Sequence, residues 1–361
     1  MRPDDRSTIQ QRHRFETLDG MRGLCALLVL VGHIPLALNI PELVPHGWLS
    51  VDMFFVLSGF VIALSYERRL RSGMRITSFM EARARRLLPV QILGTLICAL
   101  CIAPVFWHAI PGWLMTVITI STLCLIPMRW LPVANLPASL ATDFAINPPL
   151  WSLHGEWIIN ALYGLFLNRW SSRLLLLPIA FAAAHVIYRG LATDGSGVGQ
   201  FGVDRTIIGF TLGVLICRAY ASDRLQGLPK VRPSLVYAAW TVTTCVPLFG
   251  RQPLLDTLPG LALSGILVTL LVRNEQGMGK AWAYLGVLSY PLYASHFAII
   301  NLFNWLWPSA VQRSTLLVIP LVIAQISVAA ALMGIETAAH RLWRRRHDRI
   351  EGLLQRSPAS P

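Results

Sequence analysis

Apolar residues along this chain fall in long runs separated by shorter polar segments. A membrane-spanning helix needs about 20 mostly apolar residues. Candidate runs occupy residues 18–38, 48–66, 88–107, 112–127, 151–167, 174–190, 203–220, 234–250, 255–272, 281–305 and 315–338. The fourth run is the shortest, 16 residues closed by Pro127. The pattern predicts an all-α, polytopic integral membrane helix bundle of about ten spanning helices, with the fourth run re-entrant or lying at the interface. A membrane domain over residues 18–340 is then flanked by basic tails at 1–17 and 341–361. No internal repeat, low-complexity tract or appended soluble domain interrupts the pattern.

Composition removes the other classes. Hydrophobic residues make up 54% of the 361 positions and charged residues 14%. A soluble domain is roughly 45–50% apolar and about 25% charged. So few charges cannot cover a solvated surface, and the abundant apolar residues exclude disorder. Six Cys are too sparse for a disulfide scaffold. Cys98 and Cys101 form a CxxC inside an apolar run, which reads as packing and not as redox or metal chemistry.

Charge sets the orientation. The net charge is +13, which on a soluble chain would suggest nucleic acid. Here the basic residues cluster between apolar runs, so the excess reads as cytoplasmic anchoring at lipid headgroups, with no nucleic-acid partner. With both termini cytoplasmic and the fourth run not crossing, the inner segments hold 25 Lys and Arg and the outer segments hold 4. If the fourth run crossed, the basic 218–232 loop or the C-terminal tail would land outside. Residues 108–150 become a long, Pro-rich outer segment suited to a lid or a substrate platform. Residues 1–17 are polar and the first run contains Arg22 and His33, so that run reads as a retained helix and not as a cleavable signal.

Ionisable groups inside spanning helices are costly and default to functional candidates. Arg22 and His33 are eleven residues apart, three helical turns plus about 20°, so they share one face about 16 Å apart. Asp19 lies on the same side one turn before Arg22. Snorkelling of Arg22 and a helix–helix hydrogen bond from His33 are the plain alternatives. Asp52, at the outer start of the second run, either orients a His, balances an Arg or answers the helix dipole. Ser58 and Gly59 read as close-packing residues. Arg83 and Arg86, just before the third run, form either an anion clamp or ordinary inner-face charge. Trp151-Ser152-Leu153-His154-Gly155-Glu156-Trp157 opens the fifth run; Glu156 needs a cationic or hydrogen-bonding partner, and His154 is free to face water. In the tenth run Ser289, Tyr293 and His296 share a face, with Tyr290 and Pro291 beside them. No His, Asp and Glu cluster has the spacing of a metal site, so no metal is expected.

Taken together, five stretches in order resemble the membrane-bound acyltransferase 3 family of bacterial inner membranes. They are Leu18-Asp19-Gly20-Met21-Arg22-Gly23 with His33; Ser50-Val51-Asp52-Met53-Phe54-Phe55-Val56-Leu57-Ser58-Gly59-Phe60; Arg83, Arg86 and Pro89; Trp151-Ser152-Leu153 with Glu156; and Leu285-Gly286-Val287-Leu288-Ser289-Tyr290-Pro291-Leu292-Tyr293 with His296. The resemblance runs from about residue 14 to 340. It departs at His154-Gly155, where small or aliphatic residues usually precede the Glu, and at Ala338, where a Pro usually follows the Glu matched by Glu336. The chain reads as a stand-alone module without the C-terminal esterase-like domain of some relatives.

The resemblance implies a multi-pass protein of the bacterial inner membrane. It implies transfer of an acyl group, most often acetyl, from cytoplasmic acyl-CoA to a hydroxyl of a surface carbohydrate or related acceptor. Arg22 and His33 would be the catalytic pair, with Asp52 or Glu156 fixing the His33 tautomer. Arg22, Arg83 and Arg86 would hold acyl-CoA. Ser289, Tyr290, Tyr293, His296 and Trp151 would meet the acceptor. A neutral His33 would take the hydroxyl proton in a direct transfer, because no Ser or Cys nucleophile stands at a fixed short spacing from it. The other class open at this point is a transporter or flippase for a charged lipid or sugar, using the same intramembrane Arg and His.

Overall fold

The computed structural model describes residues 3–106, 110–131, 142–192, 202–246, 253–274, 278–307 and 313–354. Among them the regular structure is helical, in eleven α-helices: α1 Pro3–Leu38, α2 Leu49–Arg71, α3 Ile76–Phe106, α4 Gly112–Leu123, α5 Leu150–Leu165, α6 Leu176–Ala192, α7 Gly202–Ala221, α8 Pro233–Cys245, α9 Pro253–Val272, α10 Lys280–Leu306 and α11 Val318–Leu354. Every apolar run has its helix. Three helices extend well past their runs: α1 begins at Pro3, α3 at Ile76, and α11 continues to Leu354. The added stretches are polar but rich in Arg, Gln, Glu and Leu, all good helix formers. Arg83 and Arg86 therefore sit on α3 itself and not ahead of it.

Among the described residues five helical stretches are long and apolar enough to cross a membrane: Glu16–Leu38, Leu49–Arg71, Ile76–Pro104, Lys280–Leu306 and Thr315–Ala338. At 1.5 Å per residue, α5, α6 and α8, with 16, 17 and 13 residues, reach about 20–25 Å, short of a hydrocarbon core of about 30 Å. α7 has the length but carries Asp204, Arg205 and Arg218. α4 has 12 residues and packs Leu114 and Ile118 against Cys98 and Ile102 of α3.

Small residues let the helices cross closely. α1 meets α10 where Gly23 faces the Leu285 backbone, and a Cβ on Gly286 would lie 2.5 Å from the Asp19 carbonyl. α2 meets α7 where a Cβ on Gly59 would collide with the Phe210 carbonyl. The pairing Gly59–Gly213 is thus a backbone-to-backbone contact, as small-residue crossings in membranes are. Gly59→Ala should lower the thermal stability of the detergent-solubilised protein by about 1–3 kcal/mol through overpacking. Gly334→Ala meets nothing within 4 Å and should be neutral or slightly stabilising. Equal melting of Gly59→Ala and wild type would remove the close crossing.

An ionic clamp closes the end of the bundle at the α2 C-terminus. Glu67 accepts from Arg218 Nε at 2.9 Å and from Tyr163 at 3.0 Å, and it pairs with Arg71 at 2.8 Å. Arg218 and Arg71 also donate to the Trp170 and Asn168 carbonyls. These bonds join α2, α5 and α7. Midway along α10, Asn147 donates to the Ala294 carbonyl at 2.7 Å, and at the C-terminal end of α1 Arg313 donates to the Ala37 carbonyl. The outward faces of α6 and α11 carry exposed Leu177, Phe181, Ile319, Ile323 and Ile335, apolar surface that fits lipid and not water.

Candidate active site

Helices α1, α2, α3, α5, α10 and α11 enclose a cavity of about 370 Å³, within the usual size range of small-molecule sites. Its wall carries three guanidinium groups, Arg22 from α1 and Arg83 and Arg86 from α3. Two carboxylates face them, Glu156 from α5 and Glu336 from α11. Hydroxyls of Ser58, Ser152, Ser289, Tyr290 and Tyr293 fill the remaining polar positions.

The charges are held in place. Glu156 accepts a 2.7 Å charge-assisted bond from Arg83 Nη2 and a 3.0 Å bond from Ser58. Arg83 is buried, so its neutralisation by Glu156 offsets a desolvation cost that an unpaired guanidinium would not survive. Arg22 pairs with Asp19 at 2.8 Å, one turn away. Arg86 is exposed and lines the same cavity, which puts it at the mouth. Tyr290 donates to the Leu87 carbonyl at 2.6 Å, joining α10 to α3 beside the arginines. Ser152 and Tyr293 share a 2.7 Å hydrogen bond at the cavity wall, and Tyr293 donates to the Pro149 carbonyl at 3.0 Å.

His33 lies beyond the cavity wall. Its Nδ1 is 2.8 Å from the Val29 carbonyl. A carbonyl only accepts, so Nδ1 carries the proton and a neutral ring leaves Nε2 as the basic nitrogen. The tautomer is therefore set by the helix's own backbone, while Asp52 and Glu156 bond elsewhere. The His33 ring packs on that of His296, with centroids 5.0 Å apart, and Phe297 sets an edge against both. Tyr293 links this pair to the cavity: it lines the cavity, and its ring centroid is 5.8 Å from that of His296.

Asp52 takes the second of its expected options and balances an Arg. Its carboxylate is 2.9 Å from Arg205 Nε, and both side chains are 0% exposed. Arg205 lies between the rings of Trp48 and Trp151, at 4.9 and 5.1 Å, and donates to the Trp48 carbonyl. Trp151 is thereby held against Arg205 and Phe55. His154 is half-buried: its Nδ1 donates to the Leu125 carbonyl at 2.9 Å between Trp130 and Phe144, so it ties the segment after α4 to α5.

Of the residues singled out in sequence, Arg22, Arg83, Arg86, Glu156, Ser289, Tyr290 and Tyr293 meet at one cavity, and His33 and His296 form a pair next to it. Asp52 and Trp151 belong to the Arg205 cluster. Ser58 reads in sequence as packing, yet it holds Glu156, 98 residues away. No spacing signal joins residues so far apart.

A family model for the acyltransferase domain matches residues 15–334. "Protein 2 in picA locus" of Rhizobium radiobacter is 31% identical over 166 residues, covering 44% of this chain and 84% of that protein. "Peptidoglycan O-acetyltransferase OatA" of Listeria monocytogenes is 24% identical over 329 residues, 82% of this chain and 51% of that protein. "Acyltransferase MdmB" of Streptomyces mycarofaciens is 25% identical over 322 residues, 80% of this chain and 79% of that protein. The chain thus spans about half the length of the Listeria relative. No solved structure matches it.

Proposed function

The chain belongs to the acyltransferase domain family, and from that premise we propose that it moves an acyl group, acetyl first of all, from cytoplasmic acyl-CoA to a hydroxyl of a cell-surface or exported carbohydrate. The observation that carries this reading is the convergence of three guanidiniums on one cavity that the His33–His296 pair adjoins through Tyr293. An anionic donor suits the arginine side, and a base suits the histidine side.

In this mechanism Arg86 meets the donor phosphates at the cavity mouth, with Arg22 and the Glu156-braced Arg83 deeper in. Ser289 and Tyr290 line the path of the thioester arm. The acceptor hydroxyl gives its proton to His33 Nε2 as its oxygen bonds to the thioester carbonyl carbon. The carbon–sulfur bond then breaks, and the departing thiolate takes up the proton. No covalent acyl-enzyme is required. Arg86→Gln removes one charge-assisted contact of about 1.5–3 kcal/mol, so the acyl-CoA KM should rise roughly 10–100-fold with the acceptor KM unchanged. An unchanged donor KM would reduce Arg86 to a topology charge. Mass spectrometry of surface polysaccharide from strains with and without the gene should show acyl groups lost with the gene. Unaltered acylation would contradict the proposed acceptor class.

We also propose that the chain crosses the bacterial inner membrane ten times, as residues 18–340, with both termini in the cytoplasm. The excess of Lys and Arg in alternate connections supports that count, as do exposed Trp113, Trp130, Trp305 and Trp307 at what would be the outer interface. Reporter fusions at residues 75 and 225 should report cytoplasm, and those at 43 and 130 the outside. A cytoplasmic signal at 130 would mean that α4 crosses.

A further inference from the structure

We propose that His296 is the positioning partner of His33: the lone-pair edge of its imidazole steadies the positive charge that His33 acquires during transfer, the task a carboxylate performs in other His-based sites. The proposal rests on the acyltransferase reading above. Both rings use Nδ1 in the same way. His33 Nδ1 donates to the Val29 carbonyl and His296 Nδ1 to the Tyr293 carbonyl, each at 2.8 Å and each on its own helix. Each Nε2 is therefore the free nitrogen of its ring, and the two rings meet across the contact between α1 and α10 with centroids 5.0 Å apart.

His296 is 1% exposed, and its Nε2 has no hydrogen-bond partner among the described residues. A buried acceptor left unmade costs free energy and needs a reason. His33 is only half-buried and is the ring that an acceptor can reach. The carboxylates expected to support it are committed, Asp52 to Arg205 and Glu156 to Arg83.

The dipole of a neutral imidazole protonated at Nδ1 has its negative end at Nε2. While His33 is neutral, the lone pair of His296 gains nothing from it. Once the acceptor proton is on His33 Nε2, the negative edge of His296 lies beside a cation in a dry site, where fixed dipoles act strongly. The stabilisation exists in the transition state and not in the ground state, so it acts on kcat and leaves KM alone. The overall balance is that of direct transfer. The acceptor O–H bond breaks and the O–C bond forms, the C–S bond breaks, and the proton passes through His33 to the thiolate, while His296 neither gains nor loses one.

Three variants of the full chain in native membranes test this. The probes are labelled acetyl-CoA and polysaccharide isolated from a strain lacking the gene, with rates taken per unit of inserted protein. His296→Phe keeps the ring volume against Phe297 and removes the lone pair. His296→Asn keeps a donor for the Tyr293 carbonyl and removes the acceptor at the ε position. His296→Gln restores an acceptor oxygen near that position. The Phe and Asn variants should lose about 10–100-fold in kcat with the acetyl-CoA KM within about twofold, the range known for outer partners of metal-bound imidazoles. His296→Gln should recover a substantial part of the rate. If only one of the Phe and Asn variants inserts, that one decides. Normal kcat in either inserted variant, or a Gln variant as slow as both, would overturn the partnership while leaving the acyltransferase reading standing. A wild type that transfers no label would overturn both.

Discussion

His33→Ala should slow acyl transfer by roughly 10²–10⁴-fold, the usual cost of losing a general base, in a protein that inserts at normal abundance. The imidazole is half-buried between α1 and α10, with Nδ1 on the Val29 carbonyl and its ring edge-on to Phe297. Truncating it removes two ring contacts, to His296 and Phe297, and one hydrogen bond within its own helix. That is a loss of packing which α1, held against α10 where Gly23 meets Leu285 and Asp19 meets Gly286, should absorb. The chemical loss is of another order, because the proposed mechanism has no second group placed to take the acceptor proton. His296, packed on His33 and 1% exposed, is too buried to replace it. The measurement is product formed per unit of inserted protein, beside donor KM. Turnover close to wild type would remove His33 as the base. A drop matched by an equal drop in abundance would make it a packing residue.

Arg205→Gln should cost about 3–5 kcal/mol of stability, the usual penalty for stranding one member of a buried ion pair. Asp52 and Arg205 are fully buried, and they tie the N-terminal end of α2 to α7. Without the guanidinium the Asp52 carboxylate remains in a site from which water is excluded, and Trp48 and Trp151 lose the cation they enclose. Adding Asp52→Asn to Arg205→Gln removes the stranded charge, so the double variant should be more stable than Arg205→Gln alone. That non-additivity is the mark of a direct pair. Thermal melting of the purified protein in detergent measures it. Additive losses, or an Arg205→Gln variant that melts like wild type, would show that the pair does not carry that joint.

The helices were legible because a spanning helix announces itself locally. The apolar runs at 203–220 and 255–272 became α7 and α9 within two residues at either end. Legibility failed where a helix outruns its apolar part. The polar stretch at 76–87 has no hydropathy signal, yet it is the first three turns of α3 and brings Arg83 and Arg86 to the cavity. The site was legible in its parts but not in its pairings. An Arg and a His on one face of α1 follow from helical spacing alone. That Asp52 would choose Arg205 over His33 depends on how α2 crosses α7, which Gly59 and Gly213 decide 154 residues apart. Ser58 reads as packing in the sequence for the same reason. Its neighbour Gly59 does make the close crossing, but Ser58 itself points to Glu156. Contacts of this kind depend on tertiary packing, and a single sequence carries no periodic trace of them.

The central claim is transfer of an acyl group from a donor on one side of the membrane to an acceptor on the other. Sealed proteoliposomes holding the purified protein test it directly, with labelled acetyl-CoA on one face and unacylated polysaccharide on the other. The label should appear on hydroxyls of the polysaccharide, with free CoA released in equal amount, and His33→Ala vesicles should show neither. Polysaccharide that stays unlabelled while it or the intact acetyl-CoA crosses the membrane would contradict that claim and make the arginine cavity a transport pathway.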